Sequence, residues 1–328
     1  MNSFGRIFRI NIFGESHGAA IGITIDGCIP GLRLSVNDFE VDLERRKGGK
    51  KPGTTPRSED DIPQIISGVF KGYTTGSPIT IIIENKDTRS KDYESLRITP
   101  RPGHADFVAS QKFKGFEDYR GGGHFSGRLT ACIVIAGVIA KKLLSSQLPH
   151  LKISSEVIEV AGISNIEEGI ELAIKENDSV GAIVSCKAKN IPVGFGEPFF
   201  DSLESLISHA VFAIPAVKGI EFGSGFGAAK MFGSKHNDPI INEKGITSSN
   251  NSGGITGGVS NGNDLEFKVV IKPASSTPQP QQTYNTNTGD IQQLEIKGRH
   301  DLVIALRVPP VLEAVTACVL ADCLLLNK

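Results

Sequence analysis

Two short segments set a histidine beside groups that can move a proton or hold an anion. Gly14-Glu15-Ser16-His17-Gly18 places Ser16 and His17 together on a flexible backbone, as a general acid requires. The same five residues match G-x-S-x-G after a predicted strand, the nucleophile elbow of α/β hydrolases, although too little chain precedes Ser16 to build the sheet that an elbow needs. Arg101-Pro102-Gly103-His104-Ala105-Asp106 puts His104 between a guanidinium and a carboxylate on a stiff turn. Arg120-Gly121-Gly122-Gly123-His124-Phe125-Ser126-Gly127-Arg128 runs into an apolar segment, and successive glycines at a helix start can aim several N–H groups at one anion.

Cations gather elsewhere too. Arg45, Arg46, Lys47, Lys50 and Lys51 close a short predicted helix, with Arg57 following. A solvated helix end explains such a run as readily as a small-polyanion site does, because cations favour helix C-termini. Lys272-Pro273-Ala274-Ser275-Ser276 and Gly298-Arg299-His300-Asp301 add a basic, hydroxyl-bearing strand end and an Arg-His-Asp triplet. Each segment has a bland reading alone, and their co-occurrence favours an anion site.

The elements that must position these groups are mixed. Strands are predicted over Ile7–Phe13, Ile21–Ile25, Ile79–Glu84, Leu151–Val157, Ala182–Lys187 and Glu266–Lys272. Helices are predicted over Asp38–Arg46, Ile65–Phe70, Leu129–Leu144, Glu168–Asn177, Leu203–Ile214 and Val311–Leu326. The pairs Ser35/Asp38 and Ser58/Asp61 give the first two helices S-x-x-D start signals. Strands come in neighbouring groups as often as they alternate with helices, so antiparallel sheets layered with helices, an α+β arrangement, are favoured over a doubly wound parallel sheet. Ser275–Thr288 reads as a surface loop. Gly223-x-Gly225-x-x-Ala228 reads as a weak imitation of a dinucleotide fingerprint, since Gly233, Asn237 and Pro239 soon break the helix that it would have to open. No repeat and no clean boundary divide residues 1–328, which are treated as one domain.

The balance of 35 Lys+Arg against 36 Asp+Glu gives no global reason for a nucleic-acid or membrane partner, and the basic run lacks the aromatic platforms of RNA binding. The charge-free stretch Leu129–Ala140 falls short of the roughly 20 residues of a bilayer span. With no leader-like N-terminus, a cytoplasmic location is expected. Cys28, Cys132, Cys186, Cys318 and Cys323 are scattered, without metal-ligand spacing, and read as buried reduced thiols, with no metal site.

Taken in order, GESHG, LERRK, RPGHAD, RGGGHFSGR, VKGIEFGSGF, NNSGGITGG, KPASS and GRHD resemble the chorismate synthase family, from Gly5 to about Asp322. The resemblance implies a β-α-β-α sandwich, a homotetramer, and loss of phosphate from 5-enolpyruvylshikimate 3-phosphate with reduced FMN (FMNH2) required but not consumed. It implies His17 as acid toward the departing phosphate, His104 beside the flavin, and Asp301, supported by Ser16 and Ser126, in moving the substrate proton. It implies a substrate clamp of Arg46, Arg101, Arg128 and Arg299, with Arg45 auxiliary, for a substrate whose two carboxylates and phosphate carry roughly −3 to −4. Flavin binding falls to His124, Phe125, Ser126, Gly257, Lys272, Pro273, Ala274, Ser275, Ser276 and Arg299. The chain departs from the family at four places: His124-Phe125-Ser126 stands where R-S-S is usual, Ala274 where Thr is usual, Leu302 where Pro is common, and Pro52 where a basic residue is common, with Lys51 as its substitute. NADPH is expected only as a reductant, with Arg46 toward it if the chain reduces its own flavin, and a separate flavin reductase is the expected source of electrons. Two alternatives stay open: a serine hydrolase built on Ser16, and a flavin- or phosphate-binding module without turnover.

Overall fold

The computed structural model describes residues 2–49, 52–55, 60–86, 93–296 and 300–327. The chain opens with β1 (Ser3–Phe4), β2 (Arg9–Gly14) and β3 (Ala20–Asp26), followed by a 3-10 turn over Val36–Phe39 and α1 (Glu40–Arg46). Asp38 accepts the Ser35 N–H at 2.7 Å, so the first expected helix start is present. Next come β4 (Gln64–Ser67), the hairpin β5 (Val69–Phe70) and β6 (Tyr73–Thr74), and β7 (Ile79–Glu84). The antiparallel order is β1-β2-β3-β7-β4. Ile21, Ile23 and Ile25 sit opposite Ile83, Ile81 and Ile79, and the two-residue period turns all six into the core.

The helix expected over Ile65–Phe70 is instead β4 and β5. A short apolar run carries no helical period, Ile65 pairs with Ile81, and Gly68 at φ +81° turns the chain. Its start signal fails with it, because Ser58 lies outside the described residues and Asp61 is used elsewhere.

Beyond β7, α2 (Glu94–Ile98) and α3 (Asp106–Phe113) flank the RPGHAD turn, and two 3-10 segments lead into α4 (Thr130–Gln147). Then follow β8 (Lys152–Val160), α5 (Ile166–Glu176), β9 (Ala182–Lys189), α6 (Leu203–Val211), β10 (Val217–Phe222) and α7 (Gly233–His236). The chain ends with β11 (Ile255–Thr256), β12 (Val259–Ser260), β13 (Leu265–Ile271), β14 (Gln281–Tyr284), β15 (Ile291–Leu294) and α8 (Pro309–Leu326). The second sheet, also antiparallel, runs β10-β13-β9-β8.

Helices α4 and α8 lie against each other between the sheets, α4 on β3 and α8 on β8 and β9. A β-carbon on Gly137 would fall 2.2 Å from that of Ala314, so the two helices approach as closely as only glycine allows. The result is an α+β sandwich of antiparallel sheets layered with helices. Two expectations need correction. The segments 127–147 and Pro309–Leu326 are long and apolar enough to cross a membrane by length and composition, but 78% of each is buried in the core. Ser275–Thr288 is not only a loop, because β14 within it pairs with β15.

Candidate active site

Helix α1 positions two adjacent arginines that end in different places, because successive residues are rotated by about 100°. Phe39, Leu43 and Arg46 lie on one buried stripe, and Arg46 is only 3% exposed. Its Nη2 donates to Asp61 Oδ2 at 3.0 Å and its Nη1 to Thr130 at 3.2 Å. Arg128, from the turn before α4, donates through Nη1 to the other oxygen of Asp61 and through Nε to Asn85 at 3.1 Å. Arg46 Nε and Arg128 Nη2 are buried with no hydrogen-bond partner among the described residues. Burial pulls the Arg46 guanidinium down to about 10; Asp61 opposes that shift, and the charges of Arg307 and Arg128 add to it. Burial would raise the Asp61 carboxyl, but Arg46 and Arg128 hold it below the usual carboxylate range.

The RPGHAD turn is locked by its own charges. Asp106 accepts from Arg101 Nε and Nη2 at 2.7 and 2.8 Å, and lies 2.5 Å from His104 Nδ1. An ionised carboxylate only accepts, so Nδ1 carries the proton. Arg101 Nη1 also donates to Ser276 at 2.9 Å, and Ser275 donates to the Gly103 carbonyl at 2.7 Å while accepting from Lys272 Nζ at 2.7 Å. The KPASS segment is thereby stitched to the histidine turn.

Between the two histidines runs the glycine turn. Gly121, Gly122 and Gly123 all have positive φ (60°, 79° and 53°). A β-carbon at Gly121 would lie 2.6 Å from His17 Nε2 and 2.9 Å from Ser16 Oγ, and one at Gly122 would lie 3.3 Å from His104 Cε1. Gly121 and Gly122 thus let the backbone come close to both imidazoles, while Gly123 lets it pass against the Asp118 carbonyl. His17 meets Tyr93 edge to face at 5.2 Å. Ser126 accepts the Arg128 N–H and caps the turn into α4.

These groups line one cleft of about 1160 Å³, with His17, Arg46, Asp61, Arg101, His104, Ser126, Arg128, Lys272, Asp301 and Arg307 on its wall. Ile10, Ile12, Leu129, Ile133 and Val311 form an apolar side. His124 and Phe125 reach it too, but His124 holds the Gly14 carbonyl at 2.8 Å and Asn2 at 3.1 Å, so its nitrogens are engaged within the chain. Ala274, Ser275 and Ser276 are on the wall, while Pro273 is not among the lining residues.

Other expected residues are placed elsewhere. Arg45 is turned away, paired through both terminal nitrogens with Glu313 at 2.8 and 2.7 Å, and is not among the residues that line the cleft. Ser16 is fully buried beneath Gly121, and the chain after it turns into β3 rather than into a helix, which removes the hydrolase elbow. Asp301 spends one oxygen on the Thr55 N–H and the other on Arg307, at 2.9 Å each, with no hydrogen bond to Ser16 or Ser126 among the described residues. Gly257, in the β11–β12 turn, does not reach the cleft. Arg299 and Lys51 lie outside the described residues. The sequence reading missed Asp61, Arg307, Asn85 and Thr130. The only available signal was for Arg46 itself, whose spacing from Leu43 and Phe39 marks it as inward-facing.

Fold and site define an α+β protein whose cleft is walled by buried guanidinium groups and imidazoles, chemistry suited to a small polyanion. The chain matches the chorismate synthase family over residues 8–325. It is 60% identical to the chorismate synthase of Chitinophaga pinensis over 100% of this chain and 98% of that one, and 43% identical to that of Thermococcus kodakarensis over 99% and 98%. A solved crystal structure of chorismate synthase superposes with a TM-score of 0.75 at 26% identity, covering 98% of this chain and 93% of that one. The chain belongs to the chorismate synthase family. Its reaction is the anti-1,4-elimination of the 3-phosphate and a C6 hydrogen from 5-enolpyruvylshikimate 3-phosphate to give chorismate, a carbon–oxygen lyase step of the shikimate pathway. The family requires a reduced flavin.

Proposed function

We propose that this cleft carries out the elimination with reduced FMN as the flavin, and that the unpartnered N–H groups of Arg46 and Arg128 take the anionic groups of the substrate. That pair carries the reading: buried donors without partners are costly, and an oxyanion of the substrate satisfies both. Arg101, its nitrogens already held by Asp106 and Ser276, adds its charge to the clamp, and Arg299, beyond the described residues, is its fourth member. His17, beside the glycine turn, gives its proton to the departing phosphate oxygen while guanidinium charge stabilises it.

The residues present also fit a flavin. The cleft exceeds the roughly 1,000 Å³ of a large ligand pocket, has an apolar wall for a ring system, and carries Lys272, Ser275 and Ser276 for a phosphate tail. When bound, the reduced flavin supplies electron density to the substrate ring. His104 borders its space, with Nδ1 fixed by Asp106. Asp301, on the cleft wall and oriented by the Thr55 N–H and Arg307, serves the proton leaving C6. Phe199, Phe200, Phe226 and Phe232, each more than 80% exposed, suit burial between copies in a homotetramer. The pattern Gly223–Ala228 forms a turn and a 3-10 segment after an antiparallel strand, which favours a separate cytoplasmic flavin reductase, with NADPH only the distant reductant.

The test is anaerobic phosphate release from 5-enolpyruvylshikimate 3-phosphate with photoreduced FMN, against oxidised FMN. Release is expected with reduced flavin alone, and His17→Ala is expected to lower turnover by about 10²–10⁴. No release from flavin-loaded protein, or wild-type turnover in His17→Ala, overturns the reading.

A further inference from the structure

Asp61 sits at the centre of the cationic wall, yet no step of the elimination uses it. It is 5% exposed and adopts φ +50°, a left-handed backbone that residues other than glycine enter at a cost. Both of its oxygens are taken, one by Arg46 and one by Arg128. The remaining ties of these arginines are neutral: Thr130 for Arg46, Asn85 for Arg128. Each guanidinium is thus fixed through some of its N–H groups while one buried group, Arg46 Nε or Arg128 Nη2, stays unpaired.

We infer that Asp61 is a positioning residue for substrate: by binding one terminal nitrogen of each arginine it holds the two guanidinium groups as a fixed pair and reserves their remaining N–H groups for the substrate's anionic oxygens. The inference rests on the functional reading above and adds the group that organises its clamp. Without the carboxylate, two like charges in one buried wall, with Arg307 close by, would repel and swing apart. A single negative charge between two positive ones leaves the trio at +1, so the wall still attracts an anion.

The experiment titrates 5-enolpyruvylshikimate 3-phosphate calorimetrically into wild type, Asp61→Asn, Asp61→Glu, Arg46→Ala and the Asp61→Asn/Arg46→Ala double variant, all loaded with oxidised FMN so that binding is read without turnover. Asp61→Asn is expected to weaken substrate binding at least tenfold while FMN affinity, followed by flavin fluorescence, stays within twofold. Asp61→Glu, which keeps the charge, is expected to recover most of the loss. In the Arg46→Ala background the Asp61→Asn change is expected to cost less than threefold, because with Arg46 gone no guanidinium pair is left for Asp61 to hold together. Substrate affinity within twofold of wild type in Asp61→Asn, or full additivity in the double variant, overturns the inference. If Asp61→Asn does not fold, Asp61→Glu and Asn85→Ala decide: tenfold weaker substrate binding in Asn85→Ala supports a clamp that must be held, and unchanged binding in both sinks it. Wild type that binds substrate but releases no phosphate with reduced flavin fails the functional reading alone, and the binding series still decides the role of Asp61.

Discussion

Two ion clusters lie beside α1, one part-buried around Glu313 and one buried around Asp61, and their charge sums differ. Around Glu313, Arg45 and Lys141 face Glu313 and Asp42, with Arg45 at 2.7 Å from Glu313 and Lys141 at 2.8 Å from each carboxylate. Two cations meet two anions, and the spare Glu313 oxygen capacity takes the Ser155 N–H at 3.1 Å. Burial would raise the Glu313 carboxyl, but Arg45 and Lys141 hold it below its ordinary value. Around Asp61, two guanidinium groups share one carboxylate and keep unpartnered N–H groups. A buried carboxylate alone therefore does not mark a site, since Glu313 and Asp61 are both buried. What separates them is completeness: a balanced, fully hydrogen-bonded cluster is finished without a ligand, whereas a surplus cation with orphaned donors is finished only by an anion.

The sharpest break of this contrast is at Arg46. Truncating it removes one of the donors reserved for substrate, at a cost of roughly 2–5 kcal/mol, or about 30-fold to several thousand-fold in the Michaelis constant for 5-enolpyruvylshikimate 3-phosphate. Steady-state kinetics of Arg46→Ala should show that rise, and a constant within twofold of wild type would remove Arg46 from the clamp.

Next in size is Glu313→Ala, which leaves two part-buried cations facing only Asp42. Breaking a fully buried pair from one side costs roughly 3–5 kcal/mol, and solvent screening of the partly exposed Arg45 and Lys141 brings this loss down to about 2–3 kcal/mol. Urea unfolding should reveal the loss, and the substrate's Michaelis constant should stay within about twofold because the Asp61 cluster is untouched. A large rise in that constant with normal stability would erase the distinction between the two clusters.

How far the sequence carried this picture differs by residue. The isoleucine alternation of β3 and β7 and the long apolar segments of α4 and α8 were legible because local period and burial agree there. Ile65–Phe70 was misread because an apolar stretch that short fits either period until Ile81 claims it. β14 lay hidden in polar text, its pairing with β15 being set by contacts that local composition does not encode. Both histidine turns and most of the cationic wall were named from their residue types. Arg45 was read as auxiliary to Arg46, though the stripe Phe39, Leu43, Arg46 already set it on another face. Asp61 had no local signal: an aspartate in a polar stretch reads as a helix cap, and only its tertiary meeting with Arg46 and Arg128 gives it another role.

Asp106 gives the smallest effect and tests whether a cluster on the cleft wall can be complete. Its carboxylate takes Arg101 in a fork, the Arg101 N–H at 3.1 Å and the His104 Nδ1 proton, so by the criterion of completeness it belongs with Glu313 as scaffold, although His104 faces the cleft. Burial would raise this carboxyl, but the hydrogen bonds from Arg101 and His104 outweigh it and hold it well below the usual range. An aspartate in the unfolded chain takes up its proton near pH 3.9, above the pH at which the folded one does. The unfolded state therefore binds more protons in that window, and stability rises with pH through it. The contribution is complete above the unfolded pKa and is lost as pH falls toward the folded one. Asp106→Asn should cost roughly 1.5–3 kcal/mol at neutral pH. In urea unfolding between pH 6 and 2.5, its gap from wild type should narrow steadily as the pH drops through 4. A gap that stays constant across that window would mean that Asp106 acts through packing and neutral hydrogen bonds, and that its charge is not what locks the histidine turn.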